Sequence, residues 1–430
     1  MSAFAKPAPR HVSRPSGRAA ARFAGRSVIV VLAAIVILLL AAPIIASPIV
    51  TSVPMPVVVL LVLADLALIV ALVRFAHTPR AVLAVAAGFI LVLALDVWAS
   101  QAFAATPPIL GDDGRPLPGS IASLEKVRLN GSEQWITIRG KDTTKPTLLY
   151  LGIGGPGAGG FPATAMNLKA LEDHFVVVNW DEPGTGKTYT ARPIATLTGQ
   201  QFVDDALALT DMMRERFHQP KVYVLGLSWG TILGINLVQQ YPDRFYAYVG
   251  TGQMVNTVEN DRFGYDLALK IAADQGDTRL LDTLRRDGPP PYFGPGMQWK
   301  YRDYNNVLFA YMGSPSLELT LLLGPQFARE YGWVDKVNFD RGLIDGYPVV
   351  YEQLGDLDFT TQAATLDVPV YFLHGNRDVN ALYTLVQRYY DVLQAPHKEL
   401  IWLDSGHGPT AEQLLDGMVN VVLAHTPAKR

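Results

Sequence analysis

The chain has no cysteine among its 430 residues. That absence excludes disulfide frameworks, thiolate nucleophiles and Cys-ligated zinc, and it leaves the redox compartment open. An excess of one charge sign is missing too: 36 Lys and Arg stand against 39 Asp and Glu, for a formal charge of −3. The clustered basic surface that nucleic acid requires is therefore not there. Internal repeats are lacking, and low complexity is confined to a basic arm at the N-terminus. What is present is spread unevenly. The N-terminal quarter carries long uncharged apolar runs, whereas the remainder reads as a soluble portion long enough for more than one domain of roughly 100 to 200 residues.

Three apolar runs, Ser27 to Ala46, Val53 to Val73 and Ala81 to Ala99, are long enough to cross a hydrocarbon core, which takes about 20 residues in helical form. They define a membrane segment over residues 27–105, preceded by the basic arm 1–26 with Lys6, Arg10, Arg14, Arg18, Arg22 and Arg26. A cleaved signal peptide has one short apolar core, so two further runs argue for retained helices, although "QAFAAT" after the third resembles a cleavage site. The connection between the first two runs is uncharged; that between the second and third carries Arg74, His77 and Arg80. Positive charge stays on the cytoplasmic side. Three crossings from a cytoplasmic start then place everything after Ala105 outside the cytoplasm, in a multi-pass cell-membrane protein with the lipid bilayer as partner. Asp65 and Asp96 lie within the runs, where an acid is a functional candidate by default. Without a basic residue or second acid at matching depth, they read instead as polar contacts within a helix bundle. Residues 106–120, rich in Pro, Gly and Asp, read as a linker.

Beyond it, short apolar runs alternate with helical patterns: "TLLYLGI", "FVVVNW", "KVYVLGL", "FYAYVGT", "VPVYFLHG" and "KELIWLDSG". This predicts a mostly parallel sheet covered on both faces, with chemistry at the carboxyl ends of its strands. "GLSWG", Gly226 to Gly230, has the form G-x-S-x-G between a strand and a helix. Such a turn projects Ser228 into a cleft and aims the next N–H, that of Trp229, at a developing oxyanion. A serine hydroxyl needs a base, and the base a carboxylate. Of eight histidines, His407 in "DSGHGP" follows the last strand between two glycines, and Asp378 in "HGNRD" follows the strand before it. His374 reads as a satisfied core or rim histidine. The order Ser, Asp, His is that of an α/β-hydrolase sheet. "YLGIGGPGAGG" supplies a glycine-rich loop for a second oxyanion donor.

"PGTGKT" after the run "FVVVNW" suggests a nucleotide loop, but the phosphate-binding form needs Gly where this chain has Asp181, and no apolar helix follows. The stretch reads as a tight turn, and no nucleotide is expected.

From about Leu124 onward the chain resembles the proline iminopeptidase (prolyl aminopeptidase) branch of the α/β-hydrolase superfamily, peptidase family S33. The matching pieces are "EKVRLNGSEQWITIRG", "GGPGAGG", "NWDEPGTGKTY", "GLSWGTILG", "GNRD" and "SGHGP". The resemblance implies Ser228 as nucleophile, His407 as general base then acid, Asp378 as its orienter, and the N–H groups of Gly155 and Trp229 as the oxyanion hole, with no cofactor and no metal. The chain departs from the family pattern at Ile153, where His is usual, and at Glu182 and Pro183 in the turn that usually reads D-Q-R-G. The core spans 121–255 and 364–430, and 256–363 reads as a helical cap, aromatic-rich after "GPPPYFGPG". By the resemblance, cap acids would hold a substrate's α-amino group; Glu259, Asp266 and Glu352, with Asp261, are the counterparts. The expected activity is that of a membrane-anchored serine aminopeptidase working through an acyl-enzyme on short peptides. An esterase or lipase on small or lipid-derived esters is the alternative, and a catalytically silent hydrolase fold used for binding is the alternative of another class.

Overall fold

The computed structural model describes residues 35–75, 78–152, 156–162, 168–313, 323–426 and 428. The chain divides into two compact units, one of residues 1–48 and 54–98, the other of 49–53 and 99–430.

The first unit is helical. Helices α2 (Met55–Phe75) and α3 (Pro79–Ala102, whose end belongs to the second unit) have 21 and 24 residues. At 1.5 Å per residue they reach about 32 and 36 Å, sufficient for a hydrocarbon core of about 30 Å. Among the described residues two helices are thus long and apolar enough to cross a membrane. Of the first apolar run, the described part is the shorter helix α1, Ile35–Val50; Ser27 to Ala34 and the basic arm lie outside the described residues. Ile44, Leu61 and Val92 pack together within this unit. Asp96 accepts hydrogen bonds from Ser47 Oγ at 2.8 and 3.1 Å. Asp65 is buried. Both acids thus face other helices of the bundle.

The second unit is built on an eight-stranded sheet. The strands are β1 (Ile121–Leu129), β2 (Ser132–Gly140), β3 (Thr147–Leu151), β4 (Val176–Asp181), β5 (Val222–Leu227), β6 (Phe245–Thr251), β7 (Val370–Gly375) and β8 (Lys398–Leu403), in the spatial order β1-β2-β4-β3-β5-β6-β7-β8. Strands β1 and β2 form an antiparallel hairpin, and β2 pairs antiparallel with β4. The hairpin turn is Asn130-Gly131, with φ of 45° and 82°, the positive pair that two-residue hairpin loops demand. From β4 to β8 every pairing is parallel. The inner strands are continuous apolar runs because both faces are covered. One face packs on α4 (Gly199–Arg216) and α5 (Trp229–Gln240) through Phe202, Leu209, Ile232 and Leu237. The other receives Leu171, Leu414, Met418 and Val422.

Among the described residues between β6 and β7 the longer helices are α6 (Thr257–Gln275), α7 (Thr278–Asp287), α8 (Met297–Tyr311) and α9 (Trp333–Arg341). Their aromatic residues form a separate core of Tyr265, Tyr292, Tyr301, Tyr304 and Phe309. The Pro- and Gly-rich stretch before β1 is tied to the sheet by Arg139, which donates to Thr106 Oγ1 and the Pro107 carbonyl.

Candidate active site

Strand β5 runs into α5 through a single residue, Ser228, at φ 55° and ψ −118°. A side chain in that region costs about 1–3 kcal/mol and is held only where its surroundings fix it. Here the Ser228 N–H donates to Thr251 O at 3.0 Å, and its carbonyl accepts from Thr231 N–H and Thr231 Oγ1. Gly230 is required by close approach: a Cβ there would overlap the Leu151 carbonyl oxygen. Helix α5 can therefore start against the end of β3, and Gly230 N–H donates to Gly152 O at 3.1 Å. Trp229 heads the helix, where a backbone N–H has no intrahelical acceptor. Gly155, the other proposed donor, lies outside the described residues.

Asp378 and His407 come together past the ends of β7 and β8. His407 Nδ1 lies 3.0 Å from Asp378 Oδ2 and 3.2 Å from Oδ1. The carboxylate also accepts from the backbone N–H groups of Asn380 and Ala381 at 2.9 and 2.8 Å. Burial alone would push the Asp378 carboxyl up, but the neighbouring His407 and the Ala381 N–H outweigh it and hold the group below the usual carboxylate range. His407 Nδ1–H is thereby the donor and Nε2 the acceptor. That nitrogen faces Asn380 Nδ2 at 3.2 Å; among the described residues no hydrogen bond joins it to Ser228 Oγ. Such bonds commonly tighten only when substrate binds. The imidazole is backed by the edge of Phe309 from α8, 5.5 Å between centroids.

His374 is fully buried, accepts from Gln253 N–H at Nδ1, and sits 3.0 Å from Ala381 O at Nε2. Burial lowers its pKa, so it is a neutral, hydrogen-bonded core histidine that supports the Asp378 turn.

The "DEPGTGKTY" loop is a buried polar network. Gly184 and Gly186 adopt φ of 91° and 48°, a short helical turn covers Gly186–Thr188, and Lys187 is committed to Asp335 at 2.7 Å with both side chains buried. Asp181 accepts from Tyr331 OH at 2.8 Å and Lys187 N–H at 3.0 Å; burial nevertheless pushes it up to about 7. Glu182 accepts from the Trp229 indole N–H at 3.0 Å, and burial pushes it up to about 8. The loop thus buttresses Trp229, the residue that follows Ser228.

The three cap acids are not brought together. Glu259 is ion-paired with Arg388 at 2.5 Å and, with Asp266, lines an open surface cleft. Glu352 accepts from Gly294 N–H and lines a narrow crevice with Asp261. Asp261 is the buried one. Tyr351 OH donates to it at 3.0 Å, Tyr301 packs on Tyr351 at 4.9 Å, and burial pushes its carboxyl up to about 7. Sequence reasoning missed Asn380, whose only signal was its place in the turn after Asp378. It also gave Glu182 only as a departure from the family pattern and not as the partner of Trp229.

The chain is similar to known proteins over part of its length. A family model described as serine aminopeptidase, S33, matches residues 163–280, a span that contains Ser228. The chain is 29% identical over 303 residues to the probable aminopeptidase YbaC of Bacillus subtilis (strain 168), covering 69% of this chain and 94% of the relative. Among solved structures, VinJ superposes with a TM-score of 0.52 at 17% identity, over 70% of this chain and 98% of its own. A membrane phospholipase A superposes with a TM-score of 0.53 at 16% identity, over 83% and 99%. With the sheet order and the Ser228 turn, these similarities make the chain a serine hydrolase of the α/β-hydrolase fold.

Proposed function

We propose that the chain is a membrane-anchored aminopeptidase that cleaves the N-terminal residue from short peptides through an acyl-enzyme, with its catalytic unit outside the cytoplasm. The observation that carries this reading is the Asp378–His407 pair, 3.0 Å apart past the ends of β7 and β8, in one unit with Ser228 on its positive-φ turn. His407 Nε2 takes the proton of Ser228 Oγ as Oγ bonds to the scissile carbonyl carbon. The oxygen that becomes negative is met by the N–H groups of Trp229 and Gly155. His407 then hands its proton to the leaving amine as the C–N bond breaks, and a water attacks the acyl-enzyme by the same route. Asp378 holds the imidazole tautomer and balances its charge in the transition state.

Labelling by a fluorophosphonate probe should disappear in Ser228→Ala; persistent labelling would identify another nucleophile, and none in the parent protein would favour a silent fold. Turnover of a proline arylamide above that of a short-chain aryl ester supports the aminopeptidase reading, and the reverse supports an esterase. A C-terminal reporter active only outside the cytoplasm tests the orientation; activity of a cytoplasmic reporter instead would reverse it.

A further inference from the structure

The last strand and the last helical turn of the chain place two imidazoles and a carboxylate together, far from the residues that the mechanism uses. His397 precedes β8 and Glu399 lies within it, two residues on, so both side chains leave the same face. β8 is the edge of the sheet. His425 arrives from the helical run that closes the chain, where Leu414, Met418 and Val422 are buried against the sheet. Its position is pinned by its neighbour: Thr426 Oγ1 bonds Tyr371 OH at 2.7 Å, and the Thr426 carbonyl accepts from Tyr223 OH. The His397 ring rests 5.2 Å from Tyr371. Both imidazoles are therefore positioned by the same tyrosine-lined patch.

One ligand atom from each of His397, Glu399 and His425 falls within 4.8 Å of the other two. His397 Nε2 is 3.6 Å and His425 Nδ1 is 3.4 Å from Glu399 Oε2. These separations exceed the 2.7–3.2 Å of a good N–H···O hydrogen bond. They are close to the edge of a tetrahedron with bonds of 2.0–2.1 Å, about 3.3–3.4 Å. Ion pairs elsewhere in the chain close further, as Lys187 does on Asp335 at 2.7 Å. The three side chains are 46%, 35% and 53% exposed, which leaves solvent a path to supply a fourth ligand.

We propose that His397, Glu399 and His425 bind a divalent transition-metal ion of the zinc type, which clamps the C-terminal helix onto edge strand β8. Two imidazole nitrogens with one carboxylate suit Zn²⁺, whereas Mg²⁺ favours an all-oxygen shell. The site belongs to the amino end of β8 and His407 to its carboxyl end. Six residues of strand separate them, about 20 Å at the rise of a β-strand, so the ion acts on stability and not on the reaction.

The test is thermal unfolding of the full-length, untagged chain in detergent, titrated with ZnCl2 or MgCl2. Because the ion binds only the folded arrangement, the midpoint should climb with the logarithm of zinc concentration above the dissociation constant. Magnesium should leave it unchanged, and fluorophosphonate labelling should be insensitive to zinc. His425→Ala should abolish the zinc-dependent rise; should that variant fold poorly, Glu399→Gln should abolish it as well. A flat response of the parent protein, or an equal rise in both variants, overturns the proposal.

Discussion

Glu182→Gln isolates the energetic consequence of the buried loop beside Ser228. Glu182 is 3% exposed. Its Oε2 accepts from the Trp229 indole, and its Oε1 has no hydrogen-bond partner among the described residues. Burial raises its pKa from 4.5 to about 8. Between those values the unfolded chain releases a proton that the native state keeps, so the sign is set: stability falls as pH rises, by about 1.36 kcal/mol per pH unit for one proton. The loss is absent below 4.5 and complete above the native pKa, where it reaches the order of 5 kcal/mol. Glutamine retains an oxygen for the Trp229 N–H and removes the ionisation. Its buried amide adds a cost of about 1–3 kcal/mol that does not depend on pH. Asp181 titrates in the same window in both proteins, so the difference between them reports Glu182. Unfolding midpoints of parent and variant at pH 5, 6.5 and 8 should therefore separate progressively in favour of the variant. A gap that is the same at pH 5 and pH 8 would refute a neutral Glu182 in the native state.

Gly230→Ala forces a methyl group onto the Leu151 carbonyl, two backbone elements with no soft side chain to yield; it should cost about 3 kcal/mol or more, read as a lowered melting temperature and lost probe labelling. Lys187→Met leaves Asp335 buried without its cation and should destabilise the protein by about 3–5 kcal/mol, measured by denaturant unfolding. Asp378→Asn should lower kcat on the order of 10⁴-fold by disfavouring the required His407 tautomer, with a far smaller change in KM in steady-state assays.

Much of the sheet was legible because parallel strands buried on both faces are spelled as unbroken apolar runs; "FVVVNW" and "KVYVLGL" needed no tertiary information to be read. The ends of those runs also located Ser228, Asp378 and His407, since G-x-S-x-G and the two later turns are local patterns. The neutrality of His374 could be argued from its place inside "VYFLHG". What local pattern does not encode is which distant segments meet. Asn380 faces His407 only because two turns 27 residues apart converge. Asp335 reaches Lys187 across 148 residues, and no periodicity reports a pairing of that range. The depth of the cap acids was not legible for a different reason. Charge on an amphipathic helix gives no measure of depth, so exposed Glu259 and buried Asp261, two positions apart on α6, read alike.

The polar network also changes what the residues next to the apolar helices are for. Gln101 Nε2 donates to Asp335 Oδ1 at 3.1 Å, and Asp335 Oδ2 holds Lys187. The Lys187 N–H and Tyr331 OH both fix Asp181. Its neighbour Glu182 holds the indole of Trp229, and Trp229 follows Ser228. Arg329 donates to Thr51 O, while Ser100 Oγ receives the Trp333 N–H. Each link is buried or half-buried, where an unmatched partner costs about 1–3 kcal/mol, so the series resists being broken at any one point. Within this unit Ser100 and Gln101 complete the hydrogen bonding of the segment that holds the loop beside Ser228, so the last turn of α3 belongs to the unit built on the sheet.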